Sequence, residues 1–349
     1  MQFVDAVAAG CASALDAFTA TYSDQGQVAA EFTSPARQLL AGGKRARPRL
    51  ADAAWRAFGG APLDEAIVRA GTSLELFQAA ALVHDDVVDA AQTRRGMPAA
   101  HRQFAAQHAA RDWRGPATSY GDAGALLLGD LLLALSQREI EQSARRAPGG
   151  EAALEIYQEM TSEVAFGQFL DIRGAAAAQE PDVAAALAVV RHKSARYSVE
   201  HPLTLGAALA GASAGARAAL AAFGLPLGEA FQLRDDELGV FGDPQVTGKP
   251  AGDDLAEGKR TVLVLLGLQL APAGEAAFLR DSLGDRQLPA AAVERIRHIL
   301  TASGAHQRHE ELIAQRYRQA LDALDAVPVD VAARGELADI AAALVARRS

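Results

Sequence analysis

One cysteine, three methionines and two tryptophans in 349 residues leave little material for several kinds of chemistry. The lone Cys11 excludes an internal disulfide and suits a reducing compartment, so the chain is expected in the cytoplasm. Its context, AAGC, has the small residues of a lipoprotein signal, but no basic stretch precedes it and Asp5 interrupts the segment. Long apolar runs are lacking as well. GALLLGDLLLALS is broken by Asp130 and TVLVLLGLQLA is short, so neither approaches the ~20 residues of a membrane span, and both are expected to be buried helices. Positive charge is also in deficit. A net charge of −9 argues against a nucleic-acid surface, because neutralising phosphates along a duplex calls for a basic balance. An anionic ligand would need a local basic site or metal ions.

Apolar residues are plentiful at 50%, and alanine supplies many of them, while Tyr, Trp and β-branched residues are few. These propensities favour packed helices over sheet. Apolar positions recur at three and four residues through LDEAIVRAGTSLELFQAAALVHDDVVDA, ALLLGDLLLALSQREIEQSA, ALEIYQEMTSEVAFGQFLDI and AAVERIRHILTASG. The expected fold is all-α, with roughly ten to fourteen helices of a dozen residues or more. Breaks are expected where Gly and Pro cluster: Gly42 to Pro48, Arg111 to Gly121, Ala147 to Gly150, Gly174 to Asp182 and Gly242 to Gly258. No solenoid period is present, and LTLGAALAGASAGARAALAAFG reads as close-packed core and not as linker. Nothing marks a domain boundary, so residues 1–349 are expected to form one domain.

Against this apolar background the charged residues are concentrated. LVHDDVVDAAQTRRG brings an apolar helix up to Asp85, Asp86 and Asp89 and then to Arg94 and Arg95. On a helix Asp85 and Asp89 lie one turn apart on one face, where unpaired carboxylates repel. A hard divalent cation removes that cost, and Mg²⁺ typically takes one or two carboxylates and completes its shell with water and substrate phosphates. A solvated acidic face is the plainer reading of any single acidic run. It weakens here because FQLRDDELGVFGD repeats the arrangement with Asp235 and Asp236, and with Gln232 one turn earlier. AFGQFLDIRG adds Gln168 and Asp171 on a shared face, a further candidate ligand.

Basic residues gather in loops. GGKRARPRL places Lys44, Arg45, Arg47 and Arg49 after two glycines, and Lys and Arg together suit a diphosphate as point charge and bidentate fork. GDPQVTGKPAGDDLAEGKRT carries Lys249 and Lys259 around Asp253 and Asp254. It is not a P-loop: five residues separate Gly242 from Gly248 where that loop has four, and Pro250 replaces the hydroxyl residue. RHKSARYS adds Lys193 and Ser194. A His-Asp metal phosphohydrolase is excluded by position, since His84 is the first histidine and such a site needs one upstream.

In order, GGKRARP, HDDVVD with RRG, GQFLD, KSARYS, FQLRDD and GKPAGDDLAEGKRT closely resemble the trans-isoprenyl diphosphate synthase (polyprenyl synthetase) family between about Gly42 and Lys259. That resemblance implies a helical bundle around a deep apolar cavity, and a homodimer. It implies a Mg²⁺-dependent prenyltransferase that condenses isopentenyl diphosphate with an allylic diphosphate. Three Mg²⁺ would be held by Asp85, Asp86, Asp89 and Asp171 and by Asp235 and Asp236, with Asp254 helping. Arg94, Lys193, Lys249 and Lys259 would bind the allylic diphosphate, and Lys44, Arg47, Gln78 and Arg95 isopentenyl diphosphate. Ser194 and Gln232 join the substrate contacts. Asp85, Asp89, Asp235, Lys193 and Gln232 form the implied catalytic set.

Three positions depart from the family pattern. Gly239 stands where the second motif commonly has Asp, Gln78 where many members have His, and Ser194 where Thr is usual. In this family bulky residues four and five before the first aspartate stop chain growth. Here those residues are Ala81 and Ala80, and Phe77 is the next obstacle on that face, which implies a product longer than farnesyl, of geranylgeranyl length, with a longer polyprenyl product as the alternative. A terpene cyclase would show an Asn/Ser/Glu motif at the second site and would not need GGKRARP. A non-catalytic, prenyl-diphosphate-binding subunit is the rival of a different class, and Gly239 is the residue that leans towards it.

Overall fold

The computed structural model describes residues 2–177, 182–242 and 252–346. Sixteen α-helical segments are present among them, with one two-stranded hairpin. The number exceeds the expected range because several segments are shorter than a dozen residues. The chain groups into two compact units, Met1–Leu154 with Leu205–Ala212, and Glu155–Thr204 with Ser213–Ser349.

The first unit contains α1 (Phe3–Thr21), α2 (Gly26–Ala41), α3 (Ala46–Ala57), α4 (Glu65–Val88), α5 (Ala100–Ala110) and α6 (Ala117–Ala144). Its core joins Val7, Cys11 and Leu15 of α1 to Leu76, Ala80 and Val83 of α4 and to Leu128 and Leu132 of α6. The side chain of Asp64 caps α4 by accepting the Ala66 N–H at 2.8 Å. Along α4 and α6 two serines close the seam: Ser73 Oγ donates to the Ser136 carbonyl at 2.8 Å, and Ser136 Oγ returns a bond to the Ser73 carbonyl at 2.7 Å. Buried hydroxyls paired in this way fix the axial register of two helices that are otherwise coated with Leu and Ala. The loop expected from Gly42 to Pro48 is shorter than that span, because α3 begins at Ala46. Pro48 fits its first turn, where the missing N–H has no intrahelical partner to lose.

By length and composition α1 and α4 are apolar enough to cross a membrane, contrary to the reading of the sequence. Asp5 and Asp16 in α1 and Arg69 and Glu75 within α4 break each apolar stretch in the sequence. Most of α4 is buried within the first unit, whereas α1 buries only one face there, through Val7, Cys11 and Leu15. Burial pushes the Cys11 thiol up to about 12, so it stays protonated and inert.

The second unit holds α8 (Val183–Val189), an eleven-residue π-helical segment (Val190–Glu200), α10 (Ala214–Phe241) and the short α11 (Asp253–Ala256). Then come α12 (Val262–Leu270), α13 (Ala273–Ser282), α14 (Ala290–Ala302), α15 (Ala305–Leu324) and α16 (Val331–Val345). Leu233 and Val240 of α10 pack with Leu255, Leu263, Leu266, Ile296 and Leu300 in its core. Two helices carry residues of both units, α7 (Gly150–Ala176) and α9 (His201–Leu209). Of the small-residue stretch after Pro202, residues 203–209 are core as its composition suggested, whereas Gly211, Ser213, Ala214 and Gly215 are exposed where the chain turns into α10. A Cβ on Gly206 would lie 2.0 Å from the Ala51 carbonyl oxygen, a contact that only glycine permits. Gly206→Ala should therefore destabilise the protein by ~1–3 kcal/mol, whereas Gly174→Ala, with open space around it, should be neutral or stabilise by up to ~1 kcal/mol. Denaturant unfolding of the two variants measures both.

Candidate active site

The first acidic cluster occupies the last turn of α4. Asp85 and Asp86 lie within the helix, and Asp89 caps its C-terminus, with its N–H on the Asp85 carbonyl at 2.8 Å. Ala90 follows with φ of 51° and ends the helix. The C-terminus of a helix carries partial negative charge, so each carboxylate there is disfavoured by ~0.3–1 kcal/mol even before mutual repulsion is counted. No basic residue lies in the last turn of α4 to compensate. Arg94, brought back by the hairpin, answers part of this charge. Its Nε donates to Asp86 at 2.8 Å, its Nη2 pairs with the same carboxylate, and Asp85 lies 3.5 Å away. Asp86 is buried and holds Arg94, whereas Asp85 and Asp89 are only half-buried. His84 is turned away from the cluster. Its ring fills the space over Gly129 and its Nε2 bonds the Leu126 carbonyl at 3.1 Å.

The RRG sequence is the turn of the hairpin, in which Thr93 pairs with Pro98 and Arg94 with Met97. Its central residues Arg95 and Gly96 have φ of 53° and 74°, the pattern of a two-residue hairpin turn matched to strand twist. Arg95 Nη1 donates to the Leu39 and Gly42 carbonyls at 2.8 and 2.6 Å, satisfying the free end of α2. Gly43, at φ of 117°, packs on this guanidinium at a distance no Cβ would allow. Arg45 is the second anchor. It is buried, takes a left-handed conformation, and pairs with the buried Glu75 and the Leu40 carbonyl. With Arg45 and Arg95 fixing the loop, Lys44 stands exposed and Arg47 half-buried. Gln78 lines a small recess with Leu39, Leu40, Glu75, Ala79, Leu82 and Arg95. The pairing of Arg45 with Glu75 was missed in the sequence, where Arg45 counted only among the basic loop residues. The available signal was an acidic residue, Glu75, in the middle of an apolar helix. Of the chain-length candidates, Phe77 and Ala80 are buried, Ala80 within the core that includes α6, and Ala81 is half-buried.

In the second unit Asp235 is half-buried and Asp236 buried, near the C-terminus of α10, which again has no basic residue in its last turn. Gln232 Nε2 donates to Asp236 at 2.8 Å. Burial, together with the nearby Asp254 and Asp235 and against the Gln232 bond, pushes the Asp236 carboxyl up to about 8. Lys259 Nζ lies 2.6 Å from Glu257 and 3.6 Å from Asp254. Lys249 lies outside the described residues.

The π-helical segment carries Lys193 and Ser194, both half-buried. A Cβ on Gly167 of α7 would meet the Lys193 backbone nitrogen at 2.3 Å, so glycine lets the two backbones touch. On either side of that contact α7 provides a carboxylate: Asp171 takes Lys193 Nζ at 2.5 Å, and Glu163 accepts from His192 at 2.6 Å, Arg196 at 2.9 Å and His201 at 3.0 Å. Burial acts to raise the Glu163 carboxyl, but these three donors together hold it down at about 2. Gln168 is half-buried on the same helix.

A third polar group, Glu237, His306 and Glu310, has potential ligand atoms within 4.8 Å of one another. Arg234 neutralises it, with Glu310 accepting both guanidinium arms and Glu237 at 3.3 Å. The donor chemistry that fits a hard cation is in the other two clusters, where aspartates crowd together near the C-terminal ends of α4 and α10.

Comparison with known proteins identifies the family and the fold. The sequence model of the polyprenyl synthetase family matches residues 29–300. The geranylfarnesyl diphosphate synthase of Aeropyrum pernix is 32% identical over 308 residues, spanning 86% of this chain and 89% of that protein. A (2E,6E)-farnesyl diphosphate synthase of Mycobacterium tuberculosis is 31% identical over 88% of this chain and 80% of its own. In structure, a geranylgeranyl pyrophosphate synthase from Corynebacterium glutamicum, complexed with isoprenyl diphosphate and magnesium, superposes with a TM-score of 0.94 at 37% identity over 99% of both chains. The class is that of the all-α prenyltransferases. The chain belongs to the polyprenyl synthetase family.

The Glu163 cluster has a pH signature. A carboxyl held below its ordinary 4.5 in the native state contributes stability that is full above that value and is lost as pH falls towards about 2. Glu163→Gln should therefore be less stable than the parent at neutral pH, with the gap closing below about pH 4.5. Denaturant unfolding across this range would show a pH-independent gap if the carboxylate charge were immaterial.

Proposed function

We propose that this enzyme condenses isopentenyl diphosphate with an allylic diphosphate to give a trans-polyprenyl diphosphate, of geranylgeranyl length. The observation that carries the reading is the pair of carboxylate clusters at the C-termini of α4 and α10, each accompanied by the basic residues that the family uses for diphosphate. Asp85, Asp89 and Asp171 would hold two Mg²⁺, and Asp235 with Asp236 a third. Mg²⁺ bound there supplies charge neutralisation for the departing diphosphate.

The side chains do the rest. Arg94, Lys193, Lys249 and Lys259 hold the allylic diphosphate, with Asp86 orienting Arg94. Lys44, Arg47, Gln78 and Arg95 hold isopentenyl diphosphate, with Arg45 and Glu75 fixing their loop. The allylic C1–O bond breaks with both electrons leaving on diphosphate. The double bond of isopentenyl diphosphate then bonds through C4 to C1, and the released diphosphate accepts the proton lost from C2. No protein nucleophile is required, and apolar walls keep water from the cation. Gln232 and Ser194 contribute neutral hydrogen bonds. A homodimer would cover Leu126 and Leu127 of α6, which are 53% and 57% exposed.

Product length rests on α4. Ala81 and Ala80 offer no aromatic stop, which leaves Phe77. Extension is favoured by ~0.8 kcal/mol per methylene buried until something blocks it. A longer product is the second reading, favoured by the relative from Aeropyrum pernix, a geranylfarnesyl diphosphate synthase. Asp85→Ala and Asp235→Ala should each lower turnover on the order of a hundredfold or more while leaving the melting temperature near that of the parent. Unchanged turnover in either variant removes the mechanism. Phe77→Ala should lengthen the product seen by chromatographic sizing, and an unchanged product would exclude Phe77 as the stop.

A further inference from the structure

The peptide bond between His192 and Lys193 is where the π-helical segment rests on α7. An ideal Cβ on Gly167 would lie 2.5 Å from the His192 carbonyl carbon and 2.3 Å from the Lys193 nitrogen, so the two backbones meet with no room for a side chain. Glu163, Gly167 and Asp171 follow at intervals of four along α7 and share a face, with a rise of roughly 6 Å from each to the next. From this pivot the two side chains run in opposite directions. His192 Nδ1 donates to Glu163 at 2.6 Å, towards the N-terminus of α7, and Lys193 Nζ donates to Asp171 at 2.5 Å, towards its C-terminus. A planar peptide bond held beneath and on both sides has little freedom to turn. Glu163 also braces the segment lengthwise. It accepts from Arg196 at 2.9 Å and from His201 at 3.0 Å, so one carboxylate ties the segment from near its start at Val190 to the residue that follows Glu200. An ionised carboxylate only accepts, so both imidazoles present an N–H to it. Arg196 is held in turn by Glu200 at 2.9 and 3.0 Å. π-helical spacing seldom outlasts a single turn, and eleven residues in that form call for such bracing.

We infer that Glu163, acting through His192, is the positioning residue for Lys193, and that it holds the lysine backbone in place when the ammonium leaves Asp171 for a diphosphate. The two ends of the clamp differ in this respect. The Asp171 end is made by the ammonium itself and is given up when that group turns to an anion, whereas the Glu163 end does not involve the ammonium and persists. Glu163 and His192 lie outside the GQFLD and KSARYS motifs, so the clamp adds to the site two residues that those motifs do not contain. This inference rests on the proposed function, because it takes diphosphate to be the ligand of Lys193.

The test is a double-mutant cycle on the affinity for inorganic diphosphate, measured by calorimetry on the full-length protein at saturating Mg²⁺. Melting curves report which variants are folded. His192→Leu should weaken diphosphate binding about tenfold, and His192→Asn, which returns a donor to Glu163, should stay within about threefold of the parent. In a Lys193→Ala background His192→Leu should cost less than about twofold more, because the lysine it positions is gone. Glu163→Gln, whose amide cannot accept from all three donors, runs the same cycle and decides the matter if His192→Leu does not fold. Losses that add in the double variants, or parental affinity in folded His192→Leu and Glu163→Gln, would mean that the cluster braces the fold alone, and would overturn the inference while leaving the proposed function standing. Lys193→Ala that binds diphosphate as tightly as the parent would remove Lys193 from the substrate contacts, and the inference with it.

Discussion

The structure depends on negative charge placed where a helical protein least tolerates it. Asp85, Asp86 and Asp89 stand at the C-terminus of α4, and Asp235 and Asp236 near that of α10. At the end of α4 the macrodipole and neighbouring carboxylates act in the same unfavourable direction, and in the second cluster burial, Asp254 and Asp235 disfavour charge on Asp236. Asp171 lies closer to the C-terminus than to the N-terminus of α7. The strain is answered in part by Arg94 on Asp86, Lys193 on Asp171 and Lys259 beside Asp254.

A second constraint follows, since charges used this way need fixed geometry. The first unit fixes its basic loop through two arginines. Arg45 is paired with Glu75, and one arm of Arg95 holds the carbonyls at the end of α2. The second unit fixes Lys193 through the close contact at Gly167 and the three-donor cluster on Glu163. In both places a glycine permits the approach and a carboxylate, the buried Glu75 or the half-buried Glu163, locks it.

Much of this was legible in the sequence. Helical periodicity identified α4, α6 and α7, and the order of the motifs identified the family. Paired aspartates after apolar approaches located both clusters. What was not legible came from contacts distant in sequence. No local pattern shows that Arg45 reaches Glu75, that Ser73 and Ser136 lock α4 to α6, or that Arg234 neutralises Glu310. The π-helical segment also escaped, because its five-residue hydrogen-bond spacing leaves no periodicity distinct from the flanking helices.

The central claim is that these carboxylates serve a prenyl condensation. Its most direct test is to incubate the purified protein with Mg²⁺, labelled isopentenyl diphosphate and, separately, dimethylallyl, geranyl or farnesyl diphosphate, and to size the dephosphorylated products. Mg²⁺-dependent incorporation into a chain longer than farnesol, with geranylgeraniol as the main product, is the predicted result. No incorporation with any primer, from protein that is folded and binds Mg²⁺ with diphosphate, would contradict it.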